Sequence, residues 1–232
     1  YPTLMSIAGY PMISYYKSTG ADLRITRCDA VDGNGTWTPS TVKSTNSVGS
    51  YAKMIVAEGN PAIAYFDASN LGVRWTRNAT ADATGTWSDV GVDDGSDSGV
   101  VGTNAELVVI DGHPAISYYD ELGATLGRSK YARAIDPTGL TGAWTISAPT
   151  GLSSIYASVD ALGNRPAFSY TSGGAKILQN SNADGTGTWT STTIEATAQT
   201  SNENRITMVA GYPMTLFTVP PLQTLSLARN SA

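Results

Sequence analysis

Charge, cysteine and histidine are all scarce in this sequence. Asp, Glu, Lys and Arg make up 14% of its 232 residues, well below the usual quarter, and Cys28 and His113 are the one cysteine and the one histidine. A single cysteine excludes an internal disulfide. A single histidine excludes a multi-histidine metal site and argues against a Ser-His-Asp triad.

A net positive charge and long apolar runs are also missing. The net charge is −5, so the chain lacks the basic footprint that nucleic acids and anionic membrane surfaces require. There is no run of 18 apolar residues. We therefore expect neither nucleic-acid binding nor membrane insertion. The hydrophobic share of 41%, together with abundant Gly, Ser, Thr and Asn, is typical of a folded, turn-rich β-protein.

The strongest pattern present is a repeat with two anchors. The first is Gly-x-Pro followed by an apolar-aromatic run, and its prolines stand at positions 11, 61, 114, 166 and 213, which are 50, 53, 52 and 47 residues apart. The second is Asp-x-x-Gly-Thr-Trp, stretched in the third repeat. Its Asp and Trp residues are Asp32 and Trp37, Asp82 and Trp87, Asp136 and Trp144, and Asp184 and Trp189. Such self-similarity indicates a repeat architecture.

Each repeat divides into four predicted strands. An apolar strand precedes Gly-x-Pro, an Ala-Ile-Ser-Tyr strand follows it, a third strand alternates, and a polar, Thr-rich strand follows the Trp. Burial that falls from the first strand to the fourth predicts a propeller blade, whereas a β-solenoid has shorter repeats and isolated sandwiches would bury too little. We therefore predict an all-β, single-domain β-propeller over 1–232, with blades at about 1–49, 50–102, 103–153, 154–202 and 203–232.

The last predicted blade lacks its outer strand, which gives 4×4+3 = 19 strands. Either the ring closes with a three-stranded blade, or the chain is a fragment of a larger propeller. Since neither an initiator Met nor a signal peptide precedes Tyr1-Pro2, we expect a mature product or a piece of a longer chain.

These motifs resemble a class of bacterial extracellular repeat proteins with the pattern Gly-Asn-Pro-Ala-Ile-Ser-Tyr-Tyr-Asp, often labelled sialidase-like because Asp-x-x-Gly-Thr-Trp is similar to the Asp box of sialidases. The Gly stands one place later here than in the usual box, and Ala30 and Thr80 stand where Ser is common. The resemblance implies a propeller at the cell surface or outside the cell. It supports the fold more strongly than an activity.

The repeated Asp and Trp residues are interpreted as structural, with the carboxylates bonding backbone N–H groups across the hairpin and the indoles packing between blades. A ligand site at each box is the alternative. The repeated cations of the third strand, such as Arg24, Arg74 and Lys130, are interpreted as ties between strands, because a sialidase needs arginines that converge on one carboxylate.

Three candidate sites follow from the predicted topology. Aromatic and acidic residues collect where strands two and three connect, a set suited to sugar rings but also found at ordinary strand ends: Tyr16, Phe66, Asp67, Tyr119, Asp120 and Glu121. Lys53, Glu106 and Arg205 align at the start of the innermost strand, at the channel mouth. Asp93, Asp94 and Asp97 lie on a Gly-Ser loop that could hold Ca²⁺ or be an acidic linker; no other cofactor is predicted.

Three functions remain open from the sequence. The first is a non-catalytic, extracellular or cell-surface module that binds a glycan or a protein partner. The second is a sialidase-type glycosidase. The third is an architectural unit whose last blade is completed by a partner chain through strand addition.

Overall fold

The computed structural model describes residues 2–96, 99–121, 127–149, 152, 158–196, 204–219 and 224–229. These residues form nineteen strands in five antiparallel sheets and contain no helix, so they include no helical span that could cross a membrane. Four sheets have four strands and the last has three. The predicted all-β propeller, with a last blade of three strands in the described part of the chain, is confirmed.

Each sheet is one blade, and its strands pair in chain order. Blades one and two contain β1 (Thr3–Ile7), β2 (Tyr10–Lys17), β3 (Asp22–Cys28), β4 (Trp37–Lys43), β5 (Val48–Ala57), β6 (Asn60–Asp67), β7 (Gly72–Asn78) and β8 (Trp87–Asp93). Blades three and four contain β9 (Val100–Ile110), β10 (His113–Glu121), β11 (Arg128–Ala134), β12 (Trp144–Ser147), β13 (Ser158–Ala161), β14 (Pro166–Thr171), β15 (Ala175–Asn180) and β16 (Trp189–Glu195). Blade five contains β17 (Asn204–Val209), β18 (Tyr212–Val219) and β19 (Thr224–Arg229).

The first strand of each blade is the innermost. β1, β5, β9, β13 and β17 pack against one another in that order, as strands around an axis must. The fourth strands are the most exposed, and β4 and β16 each present four exposed residues in succession. The radial order predicted from the sequence is therefore correct.

The predicted fall of burial from the first strand to the fourth is wrong in one respect. The most deeply buried strands are the second and third, and in β6 every residue from Pro61 to Asp67 is buried. By contrast, β1 alternates between half-buried and exposed positions, and β17 begins by alternating between buried and exposed ones. The middle strands are covered by neighbouring blades on both faces, whereas the innermost strand borders the axis. Apolar residues such as Val56 and Val109 are consequently exposed there.

Two innermost strands begin earlier than predicted. β5 starts at Val48 and β9 at Val100, before the expected boundaries at 50 and 103, because each strand contains an irregularity in its pairing. Gly49 and Gly102 have φ of 103° and 109°, and a Cβ on either would lie under 3 Å from atoms of the preceding blade. These glycines resemble turn residues in the sequence, but they permit close contact between blades.

The Asp-box turns hold their shape through the repeated aspartates. Asp82 Oδ1 accepts hydrogen bonds from the backbone N–H and the hydroxyl of Thr84. The hydroxyl of Thr80, followed by Thr84, lowers the pKa of Asp82 to about 2. The other three carboxylates likewise accept a backbone N–H two residues along the chain: Asp32, Asp136 and Asp184.

The predicted bonds across the hairpin are made by Asp136 in blade three, where Oδ2 accepts the N–H of Thr141, but in blades two and four they come from another position. Asn78 Nδ2 donates to the carbonyls of Ala83 and Gly85, and Asn180, at the same place in blade four, donates to those of Gly185 and Gly187. A carboxylate cannot donate to carbonyls, whereas an amide can. The aspartates therefore shape the turn locally, and the asparagines join it to the third strand.

The tryptophans of blades two, three and four pack against the preceding blade, as predicted. Trp144 of blade three meets Trp75 of blade two edge to face at 5.7 Å, and Trp75 Nε1 donates to Thr138 O in the turn that carries Trp144. Trp189 of blade four lies 6.1 Å from Tyr131 of blade three in the same way. Each interface thus joins the centre of one third strand to the Asp box of the next blade.

Candidate functional site

Strand direction places the candidate residues at one end of the propeller. Because the strands of a blade are antiparallel, the loops between second and third strands, the connections between blades and the starts of the innermost strands share one end. We call this end the loop face. The Gly-x-Pro and Asp-box turns lie at the other end, the turn face.

A layer of polar residues surrounds the axis just below the loop face. In each blade, one residue of the first strand pairs with the residue of the second strand that stands three places after the Gly-x-Pro proline. These five residues therefore occupy equivalent places in the five blades: Thr3, Lys53, Glu106, Ser158 and Arg205. We call this layer the axial tier. Three of its members are charged and form one cluster.

Glu106 is the centre of that cluster. Its Oε1 lies 3.1 Å from Lys53 Nζ and 2.7 Å from Arg205 Nη1. Lys53, Glu106 and Arg205 belong to blades two, three and five. The ion pair between Glu106 and Arg205 therefore joins two blades that are not neighbours. The alignment predicted from the sequence is confirmed, and it gives a tier with two cations and one carboxylate.

The charges of the axial tier remain in contact with solvent. The Arg205 side chain is more than half exposed, and those of Lys53 and Glu106 are partly exposed. Exposed ion pairs contribute only about 0–1 kcal/mol to folding. The cluster therefore contributes little to the stability of the fold.

The predicted ligand residues of blade two are buried. Phe66 meets Tyr51 edge to face at 6.4 Å. Asp67 Oδ1 accepts the backbone N–H groups of Ser69 and Asn70, at 3.0 and 3.2 Å, and so closes the loop between β6 and β7. These contacts hold the loop in place, and sugar binding by Phe66 or Asp67 remains a prediction.

Blade three presents its predicted residues unequally. Asp120 is fully buried, and its Oδ2 lies 3.0 Å from Arg128 Nε and 3.2 Å from Lys130 Nζ. Glu121 is exposed and accepts a hydrogen bond from the Thr103 hydroxyl at 3.3 Å. Tyr119 is half-buried, and burial is the main cause that raises its pKa.

Tyr16 of blade one is half-buried near the end of β2, which is also the loop face. Glu121, Tyr119 and Tyr16 are thus the members of the predicted set that solvent reaches most readily. They lie near the ends of β2 and β10 at the loop face, and aromatic rings and a carboxylate are groups that can contact a sugar.

The acidic loop proposed for calcium is only partly described, since Asp97 lies outside the described residues. Asp93 Oδ2 lies 3.1 Å from Lys130 Nζ and 2.7 Å from the Tyr118 hydroxyl, and Asp94 Oδ1 accepts the N–H of Ser96. A lysine ammonium therefore occupies one side of the Asp93 carboxylate. No cluster of three His, Cys, Asp or Glu residues suited to a metal occurs among the described residues.

Sequence patterns missed Tyr51, which lies two residues before Lys53 of the axial tier. It lies in the irregular start of β5 with φ of 53°, a left-handed conformation, and is half-buried. A non-glycine residue with positive φ is uncommon and marks local strain. Gly49, two residues earlier, was the available signal, but a lone glycine indicates a bulge too weakly for prediction.

No protein-family model matches this chain, and no curated protein matches it in sequence. Solved structures are similar to it in fold. An α-L-arabinofuranosidase from Lactobacillus brevis matches 99% of this chain and 90% of its own, with a TM-score of 0.52 at 12% identity. The NanB sialidase from Streptococcus pneumoniae matches 94% of this chain and 34% of its own, with a TM-score of 0.57 at 13% identity.

A Trypanosoma rangeli sialidase matches 99% of this chain and 46% of its own, with a TM-score of 0.59 at 12% identity. This chain therefore spans less than half the length of the two sialidases. At such low identities the similarity shows the fold, a β-propeller of the kind found in sialidases and in an arabinofuranosidase. It does not assign their chemistry to this chain.

Proposed function

We propose that the loop face binds a glycan without hydrolysing it, with the axial tier as the centre of the site. The observation that carries this proposal is the cluster of Lys53, Glu106 and Arg205, whose charges meet at the axis and remain in contact with solvent. The loop face thus carries both hydrogen-bonding charges and half-buried aromatic rings, the two kinds of group that sugar-binding surfaces use.

The composition of the tier is the reason to propose binding rather than hydrolysis. Most glycosidases use two carboxyl groups, about 5 to 9.5 Å apart, that flank the scissile bond. Among the five equivalent axial positions Glu106 is the one carboxylate, and both of its ion pairs are with cations that would have to leave before it could approach a substrate. The tier is arranged to present positive charge.

The charge balance also indicates which glycans bind best. Two cations and one carboxylate leave a net charge of +1 on the tier. A sugar that carries a carboxylate would pair with Arg205 and Lys53 through charge-assisted hydrogen bonds, which are stronger than neutral ones. We expect acidic glycans to bind more tightly than neutral ones, and added salt to weaken the difference.

The test is an array of acidic and neutral glycans, followed by calorimetry on the best ligand with and without calcium. Arg205→Ala should weaken binding about tenfold or more, because a charged hydrogen bond contributes about 1.5–3 kcal/mol. Arg165→Ala is the matched control, since Arg165 is an exposed arginine at the turn face. Equal losses in the two variants would contradict a site at the axis.

Hydrolysis is measured in the same experiment with fluorogenic sialoside and arabinofuranoside substrates. We expect no turnover. Turnover that is lost in Arg205→Ala would replace this proposal with a sialidase-type activity. The proposal also places the protein at the cell surface or outside the cell, and detection of the native protein only in the cytosolic fraction would contradict that part.

A further inference from the structure

Three interfaces pack a third strand against the Asp box of the next blade, and they differ at the centre of that strand. Strand pairing makes Ile25, Trp75 and Tyr131 equivalent in blades one, two and three. The indole N–H of Trp75 and the hydroxyl of Tyr131 reach the next Asp box, where they donate to the carbonyls of Thr138 and Ala183. Ile25 is too short to fill that space, so a groove remains between blades one and two.

The turns of the Asp boxes show the same difference. The N–H groups of Ala83, Gly139 and Gly185 close the turns of blades two, three and four, and all three residues have positive φ. A Cβ on Gly139 would lie 2.7 Å from Trp75, and one on Gly185 would lie 2.6 Å from Tyr131. Ala83 carries such a Cβ because no aromatic ring stands opposite it. Gly139 and Gly185 are buried, whereas Ala83 is only half-buried.

The groove between blades one and two has the size of a small-ligand site. Its volume is about 390 Å³, and such sites typically measure about 300–1,000 Å³. Ile25, Arg27 and Asp29 line it from blade one, and Asp82 and Trp87 line it from blade two. Hydroxyl side chains of β4 complete the lining. We call this space the interblade groove.

Arg27 differs from its equivalents in the next two blades. Arg77 Nε and Arg133 Nε donate to backbone carbonyls at the ends of β5 and β9, the first strands of their own blades. Arg27 Nε is buried and has no hydrogen-bond partner among the described residues, and the guanidinium lies 4.2 Å from the centre of the Tyr10 ring. A ligand oxygen that accepts from this guanidinium therefore gains a charge-assisted hydrogen bond without displacing a backbone bond of Nε.

The lining favours a neutral sugar over other small ligands. The C–H face of a sugar ring packs on an indole such as Trp87, and its hydroxyl groups both donate to carboxylates and accept from a guanidinium. One cation and two carboxylates give the lining a net charge of −1, opposite in sign to the axial tier, which disfavours an acidic glycan. A plain aromatic molecule would pack on Trp87 but would leave Arg27 Nε without a partner.

We propose that the interblade groove binds a neutral hexose, at a site that shares no residue with the axial tier. The sugar ring lies on Trp87, with its hydroxyl groups bonded to Arg27, Asp29 and Asp82. The Asp-box turns hold both carboxylates in position, since each accepts a backbone N–H of its own turn. Groups that are already ordered before the ligand arrives lose little entropy on binding.

NMR spectra of the tryptophan indole N–H groups test the proposal, with methyl glucoside, methyl galactoside and methyl mannoside as probes. At least one probe should shift the Trp87 signal saturably, and Trp87→Phe identifies that signal. Arg27→Ala should weaken binding about tenfold or more, because a charged hydrogen bond is lost. Arg205→Ala, which alters only the axial tier, should bind the same probe normally. Failure at the groove is thus distinguishable from failure of the axial site.

A double variant rebuilds the filled interface. Ile25→Tyr with Ala83→Gly gives blades one and two the residues that meet between blades three and four, so the hexose shift should disappear. Ala83→Gly alone leaves the groove open and should bind normally. A shift that persists in the double variant would overturn the proposal, and so would a groove that phenol or indole occupies but no hexose does, or that nothing occupies. Thermal melting confirms that each variant is folded, and Arg27→Ala decides alone if the double variant is not.

Discussion

Blade two and blade five carry the same repeat, but their third strands differ sharply in burial. At the centre of β7, Trp75 is fully buried against Trp144 and hydrogen-bonds the next Asp box. At the equivalent position of β19, Leu227 faces solvent. The difference shows that the side chains on a blade's face are buried only where a neighbouring blade packs against that face, as in other repeat proteins.

The largest expected effect is at the covered interface. Trp75→Ala should lower the free energy of unfolding by about 3–5 kcal/mol, because it opens a cavity between blades two and three and removes a buried hydrogen bond. Leu227→Ala should change it by less than about 0.5 kcal/mol, as exposed positions do. Urea unfolding of dilute protein measures both. Similar losses would show that blade five is covered after all.

Ion pairs at two interfaces between blades provide a second comparison. Lys130 is buried and pairs with Asp93 of blade two and Asp120 of its own blade, whereas Lys43 pairs with Asp89 from a more exposed position. Lys130→Ala should cost about 3–5 kcal/mol because it removes the cation that two buried carboxylates share. Lys43→Ala should cost about 0–1 kcal/mol. Urea midpoints that rank the variants in the opposite order would contradict this account.

Two Asp-box glycines separate backbone strain from contact between blades. Gly33 and Gly139 have φ of 78° and 71°, so alanine at either position suffers a left-handed strain of about 1–2 kcal/mol. Gly139→Ala also pushes into Trp75, and overpacking adds about 1–3 kcal/mol. Gly139→Ala should therefore melt at the lower temperature by calorimetry. Equal melting temperatures would mean that Trp75 moves aside freely.

The smallest expected effect is a change in pH dependence at the turns. Hydrogen bonds from Thr80 and Thr84 lower the pKa of Asp82 to about 2, below its ordinary value of about 3.9. Stabilisation by this carboxylate is complete above about pH 4 and is lost as the pH falls toward 2. Asp82→Asn should reduce the loss of stability over that window. An unchanged acid profile, with Asp111→Asn as control, would show that the turn is not coupled to folding.

The repeat spacing was sufficient to predict the blades, the strand order and the three strands described for the last blade. Lys53, Glu106 and Arg205 could be aligned because each stands at one place in its repeat. The Asn78 bonds could not be predicted, because blades one and three carry Cys28 and Ala134 at that position. Whether a side chain is covered depends on the neighbouring blade, so Leu4 and Leu227 look like core residues in the sequence.

Hydrogen exchange of dilute protein tests most directly whether neighbouring blades provide the stability of each blade. Amides exchange slowly where contacts keep a segment closed. We predict the slowest exchange in β6, β7 and β10, which are covered on both faces, and measurably faster exchange in β18 and β19. Protection of β18 and β19 equal to that of β6 and β7 would contradict the account.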